Sequence, residues 1–223
     1  MHYPGGKGQS YKRIINMMPP HEVYIETHLG GGAVLLNKKP AQHNIGIEID
    51  LKTIAMWSEQ EMDFELIHGD AVEFLKGYNF KGKELVYCDP PYLIDTRKKQ
   101  YPLYDYEYSD RQHVELLNVI KTLPCMVMIS GYESELYKES LNDWYTYCFR
   151  AGCQHGMAIE WLWMNYDTPI ELHDYRYLGD TFRKREQLKK KKERWVKKLE
   201  SMPVLERQAL MLAIDSVREG PSI

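Results

Sequence analysis

The sequence predicts an α/β fold built on an open, mostly parallel sheet, and three observations carry that prediction. Leu85-Val86-Tyr87-Cys88 is a short apolar run that stops at Asp89-Pro90-Pro91-Tyr92, so it reads as a buried strand ended by residues that cannot continue it. Val23-Tyr24-Ile25-Glu26 is followed by Gly30-Gly31-Gly32 and then by the helical run Ala33-Val34-Leu35-Leu36-Asn37, which gives strand, glycine loop and helix in succession. Strand-like and helix-like runs then keep alternating as far as about residue 165, the pattern of strands laid side by side with helices as crossovers.

A chain of 223 residues suits one α/β domain with an appendage. No apolar run approaches the length of a membrane span, and Met1-His2-Tyr3-Pro4 is not a signal peptide, so a soluble, cytoplasmic protein is expected. Cys88, Cys125, Cys148 and Cys153 lack CxxC spacing and are expected to be reduced core residues. The eight histidines show no ligand spacing, so no metal is expected. The net charge is −3, but residues 181–201 hold ten Lys or Arg against three Glu, which leaves −10 for the rest. An acidic body with a basic arm points to an anionic partner held by the arm, nucleic acid above all; the plain alternative is a solvated helix face.

In chain order, Tyr3-Pro4-Gly5-Gly6-Lys7-Gly8 precedes a helix expected from about Ser10 to Met18. Gly5 and Gly6 permit close backbone approach, and Lys7 supplies a point charge. After the glycine loop, Asn44-Ile45-Gly46-Ile47-Glu48-Ile49-Asp50 reads as a strand with acids at its end, Glu48 lying 18 residues after Gly30, about where a ribose-binding carboxylate sits. Phe64 to Asp70 is a third strand, and Asp70 is equally readable as the N-cap of a helix starting at Ala71. Asp89 follows the central strand, where ligands of open α/β sheets bind. A carboxylate beside rigid proline carbonyls suits an amino group with two hydrogens, and the Tyr92 ring suits the heterocycle bearing it. Arg97, Lys98 and Lys99 then precede Tyr101, Tyr104, Tyr106 and Tyr108, either a phosphate-binding and base-stacking loop or a lid packed by tyrosines. A helix over 110–122, a strand over 126–130, a helix over 133–141 and late strands over 144–150 and 159–165 follow, the last two as an antiparallel pair. Beyond Thr181 come a basic helix and, after Pro203, a second helix. Such a pair either packs on the body or joins a second copy as a homodimer, and the sequence leaves both open.

The Asp89-Pro90-Pro91-Tyr92 motif after an apolar strand, with Gly30-Gly31-Gly32 and the Gly5-Gly6-Lys7 opening, resembles the Dam-like (D12 class) adenine-specific DNA methyltransferases over most of positions 2 to 180. The resemblance implies a Rossmann-like, S-adenosylmethionine-dependent methyltransferase domain over 1–180 and a helical extension over 181–223. It implies that Tyr3, Lys7, Gly30, Gly31, Gly32, Glu48, Asp70 and Asp89 hold S-adenosylmethionine. Asp89, Pro90 and Tyr92 would be catalytic, with Asp89 and the Pro90 carbonyl holding the amino hydrogens and Tyr92 clamping a flipped base. The expected partner is DNA, duplex or single-stranded, met by Arg97, Lys98, Lys99, Arg183, Lys184, Arg185, Lys189 and Lys190, in a setting of restriction and modification.

Relatives of this type usually insert the domain that reads target sequence between the positions of Asp70 and Asp89. Only 18 residues lie there, so relaxed target choice is expected. The rival readings are RNA adenine, cytosine or protein glutamine as methyl acceptor, a non-catalytic nucleic-acid-binding relative, and a NAD-dependent oxidoreductase. The missing pyrophosphate fingerprint weighs against the last.

Overall fold

The computed structural model describes residues 6–97, 103–153 and 156–219. Tyr3, Lys98 and Lys99 lie outside the described residues. The chain divides into two compact units, Met1–Tyr175 and Arg176–Ile223, meeting a few residues before the composition change at 181.

The first unit begins with α1 (Tyr11–Ile15), β1 (Val23–Glu26), α2 (Ala33–Asn37), β2 (His43–Glu48), α3 (Leu51–Ser58), β3 (Glu65–His68), α4 (Ala71–Gly77) and β4 (Glu84–Cys88). It continues with α5 (Asp110–Ile120), β5 (Met126–Gly131), α6 (Glu135–Ser140), β6 (Tyr145–Cys153) and β7 (Gly156–Met164). The strands form a seven-stranded sheet in the order β3-β2-β1-β4-β5-β7-β6, with β7 antiparallel to both its neighbours. This is the Rossmann-like methyltransferase architecture implied by the sequence.

Burial follows position in the sheet. β4 lies between β1 and β5, and all five of its residues are buried, which is why its sequence is an apolar run and not an alternation. Ile25, Ile45, Ile47, Val86, Val127 and Ile129 build the core with Leu116, Leu117 and Ile120 of α5. The chain winds outward from β1 through β2 to β3 and then returns to pair β4 with the other side of β1. The strand order therefore reverses between β1 and β4, and a crevice opens there at the strands' carboxyl ends.

Two expectations change. The helix expected over 10–18 closes at Ile15, and Met17 and Met18 form tighter bonds to the Ile14 and Ile15 carbonyls at 3.0 and 3.1 Å. Pro19 disfavours the helical conformation for the residue before it, so the chain has to leave the helix here. Cys148 is exposed and not a core residue, whereas Cys88 is buried as expected. β6 is an edge strand, and the alternation that turns Phe149 inward turns Cys148 out.

The second unit contains α7 (Phe182–Glu200) and α8 (Val204–Glu219). Thr181 caps α7 by accepting from the Lys184 N–H at 3.2 Å. The first turn of α7 holds Arg183, Lys184 and Arg185 and no acid, against the preference of a helix N-terminus for negative charge. Asp180 beside Lys184, 3.4 Å away, offsets part of that repulsion. No described helix is long and apolar enough to cross a membrane.

Candidate active site

A cavity of about 280 Å³ occupies the crevice at the strand-order reversal. Its walls come from the loop after β1, the ends of β2 and β3, the residues after β4, and the segment 103–108. Gly30, Gly31, Gly32, Glu48, Asp70 and Asp89 all line it, together with Lys7, so seven of the eight positions expected to hold S-adenosylmethionine converge on one space.

The glycine loop is set by its backbone. Gly30 and Gly32 have φ of 47° and 59°, a left-handed region that favours glycine. A Cβ on Gly32 would lie 2.8 Å from the Trp57 ring, and the Trp57 indole N–H donates to the Gly30 carbonyl at 2.9 Å. Trp57, from α3, thus clamps the loop from outside its own strand-loop-helix unit. The sequence reading missed it, because its only signal was one apolar position on a helix.

Glu48 closes the other side. Its Oε2 accepts from the Gly30 N–H at 2.8 Å, and its Oε1 accepts from the Ile49 and Asp50 N–H groups at 2.9 Å each. Burial pushes the carboxyl above its ordinary value, against the three backbone donors that favour the charged form. A carboxylate offers about four acceptor positions, so one remains for a ribose hydroxyl, and the residues present fit a nucleoside-bearing cofactor. Asp50 caps α3, accepting from the Lys52 N–H at 3.0 Å, and also lines the cavity. Asp70 caps α4 through the Val72 and Glu73 N–H groups at 2.8 and 3.0 Å, and it also lines the cavity.

Glu26, the last residue of β1, is a cavity residue that the sequence reading left unassigned. It is buried and accepts from the Tyr24 hydroxyl at 2.9 Å. Burial, opposed by the Tyr24 bond and assisted by Asp89, pushes its carboxyl from 4.5 up to about 8. The signal was available: like Asp89, it is an acid at the carboxyl end of a central strand.

Asp89 sits in a polar network. The Lys7 Nζ donates to its Oδ1 and Oδ2 at 2.6 and 2.5 Å, and the Ser130 Oγ donates to Oδ1 at 2.7 Å. Burial opposes the charge on Lys7, but Asp89 and Glu160 overcome it and hold the ammonium above its ordinary value. Pro91 lines the cavity with Asp89, whereas Pro90 is buried and is not among the lining residues. Tyr92 donates from its hydroxyl to Glu160 at 3.0 Å, and the Lys7 ammonium lies 4.9 Å from its ring centroid.

Of the cations expected to meet phosphate from this loop, Arg97 lies within the described residues, and it is a correction. Its guanidinium is buried, donates to the Tyr92 carbonyl, and forks onto Glu107 with one bond of 2.7 Å. A buried fork with both ends occupied holds the loop onto the active-site strand end and cannot face a phosphate. Within unit two, Arg183, Lys184, Lys189 and Lys190 are exposed, while Arg185 is half-buried and donates to the Gly179 carbonyl at 2.9 Å.

A Rossmann-like sheet with a glycine loop, an acid bonded to that loop and the Asp89 strand end on one cavity is an arrangement that fits a nucleoside-bearing cofactor. Residues 47–151, a little under half of the chain, match the family model of the D12 class N6 adenine-specific DNA methyltransferases. That match includes Glu48, Asp70 and Asp89 to Tyr92, and it excludes Lys7, Gly30, Gly31 and Gly32. No curated protein sequence matches the chain. Among solved structures it is similar to a putative RNA methyltransferase from Pyrococcus horikoshii, at 13% identity and a TM-score of 0.46, covering 76% of this chain and 88% of that one. It is also similar to a putative methyltransferase from Streptococcus mutans solved with SAH, at 10% identity and a TM-score of 0.47, covering 70% and 94%. A dimethyladenosine transferase from Plasmodium falciparum gives 11% identity, a TM-score of 0.46, and coverage of 74% and 63%. At TM-scores below 0.5 these likenesses carry no weight, and the topology and site stand on their own geometry.

Proposed function

We propose that the protein methylates the exocyclic amino nitrogen of adenine in DNA, with little dependence on the surrounding sequence. The observation that carries this reading is Asp89, placed where the strand order reverses, on the wall of the same cavity as Glu48 and the glycine loop, and followed by Pro90-Pro91-Tyr92.

S-adenosylmethionine, once bound, supplies a methyl group on a positively charged sulfur. The chain's task is to present the amino nitrogen, whose lone pair is delocalised into the base ring. Asp89 accepts one amino hydrogen and the Pro90 carbonyl the other, which favours the tetrahedral geometry in which that lone pair is free. Neither has to be a strong base, because the nitrogen becomes acidic once methylated and releases its proton to water. Tyr92 stacks on the base, whose extrusion from a duplex costs a few kcal/mol and less from a single strand.

DNA binding falls to the exposed cations of α7. Three basic residues in its first turn oppose the helix dipole by roughly 0.3–1 kcal/mol each, so helix stability does not account for them. Relaxed target choice rests on the short interval between Asp70 and Asp89. Reading several base pairs needs converging side chains that each discriminate by roughly 1–3 kcal/mol, and the interval between Asp70 and Asp89 is filled by α4, one loop and β4. Labelled S-adenosylmethionine with duplex DNA, single-stranded DNA and RNA, followed by mapping of the modified bases, tests the reading. Methylated adenines in many DNA contexts are expected. Label confined to RNA or to cytosine overturns the substrate, and methylation confined to one motif of about four or more base pairs overturns the relaxed specificity.

A further inference from the structure

Resting on the function just proposed, we infer that Glu160 is a positioning residue: it draws the Lys7 ammonium off Asp89 when the target base enters, and so frees the base site. Glu160 lies on β7, outside the segment matched to the methyltransferase family. It is 5% exposed, so its charge has to be matched by close partners. Its Oε2 accepts from the Ser10 Oγ at 3.1 Å, its Oε1 accepts from the Tyr92 hydroxyl at 3.0 Å, and the same Oε1 lies 3.6 Å from the Lys7 Nζ.

Lys7 is bonded to both Asp89 oxygens and also lies over the Tyr92 ring. One cation therefore engages both features assigned to adenine, the carboxylate for its amino hydrogens and the ring for stacking. An ammonium and an amino group are both N–H donors and compete for the same acceptor positions, of which Ser130 already takes one. The base enters only if Lys7 yields. A buried ammonium without an anion is strongly disfavoured, so it has to pass directly to a second carboxylate. Glu160 is that carboxylate, one small torsional step beyond hydrogen-bond range. Its backbone is held by pairing with Phe149 of β6, one residue beyond the last β5–β7 pair of Gly131 with Trp161. Because Glu160 holds the Tyr92 hydroxyl as well, the ammonium moves toward the group that anchors the stacking ring.

The test is a double-mutant cycle on methyl transfer to an oligonucleotide whose methylated adenine has been mapped. Glu160→Gln preserves shape and one of the two acceptor oxygens, places an amide N–H donor at the other, and removes the charge that attracts Lys7. It is expected to lower kcat/KM for the oligonucleotide by about tenfold. The affinity for S-adenosylmethionine should stay within about twofold, and in a Lys7→Met background the same change should cost less than about twofold. Should Lys7→Met show no turnover, the cycle is read on the fluorescence of 2-aminopurine at the target position, which reports base capture without chemistry. An unaltered Glu160→Gln enzyme, or an equal loss in both backgrounds, overturns the exchange while leaving the proposed function intact. A wild-type protein that methylates no adenine overturns both.

Discussion

Ser130 of β5 donates its hydroxyl hydrogen to Asp89 across the β4–β5 pairing, at 2.7 Å, and its oxygen in turn lies 3.0 Å from the Tyr87 hydroxyl. With Ser130 donating to Asp89, Tyr87 is the donor to Ser130, so a buried relay from two strands aims one lone pair of the Asp89 carboxylate. The Asp89 carboxylate is therefore oriented by the sheet itself and not only by its place in the turn.

Asp89→Ala removes the acceptor for the amino hydrogen. Methyl transfer is expected to fall by at least about 10²-fold, in the range for loss of a positioned proton-handling group. S-adenosylmethionine binding should persist, because Glu48 and the glycine loop are untouched. Scintillation counting of labelled DNA, beside calorimetric titration of the cofactor, reads the two effects separately; wild-type turnover would remove Asp89 from the mechanism.

Arg97→Ala should destabilise the first unit by about 1–3 kcal/mol, because the half-buried Glu107 loses its counter-charge and keeps the Leu103 and Tyr104 N–H donors alone. Burial works against the charge on Glu107, and the Arg97 fork with the Leu103 and Tyr104 N–H groups overcomes it, holding the carboxyl below its ordinary value. Its contribution is thus present above the ordinary glutamate value and lost as pH falls through the lowered one. Urea unfolding of the variant at neutral and acid pH checks both; a loss of DNA affinity with stability unchanged would instead restore Arg97 to a phosphate-binding role.

Glu26 predicts the opposite slope. The unfolded chain releases this proton above about 4.5, whereas the folded protein keeps it up to about 8. Across that window the folded state binds more protons, so its stability falls as pH rises and levels off above the upper value. Glu26→Gln, neutral at every pH, is expected to flatten the fall in urea titrations between pH of about 5 and about 9. An identical pH profile in the variant would mean that Glu26 is ionised in the folded protein.

Removing residues 176–223 should weaken DNA binding and flatten its salt dependence, by about 0.9 in log-log slope for each duplex phosphate that the helices no longer neutralise. The retained piece is a compact unit with its own sheet and core. Fluorescence anisotropy over a salt series measures the slope; a folded truncation with the parent's slope would assign the helices to structure or assembly.

The sequence by itself determined the strand ends. A buried parallel strand has to be apolar throughout, so the place where that run meets an acid, as at Cys88-Asp89, is visible without coordinates. Glycines that adopt positive φ and acids that end strands are local requirements too, and Gly30, Gly32, Glu48 and Asp70 were legible for that reason. What the tertiary structure alone decided were contacts between elements distant in the chain. Lys7 meets Asp89 across 82 residues, Tyr92 meets Glu160 across 68, and Trp57 closes on Gly30 across 27. Arg97 behaved likewise: its place in a basic and aromatic segment suggested a phosphate contact, yet it found Glu107 and a backbone carbonyl, and burial turned a surface charge into a brace. Composition records which groups a segment carries, whereas only packing determines which of them remain available to a ligand.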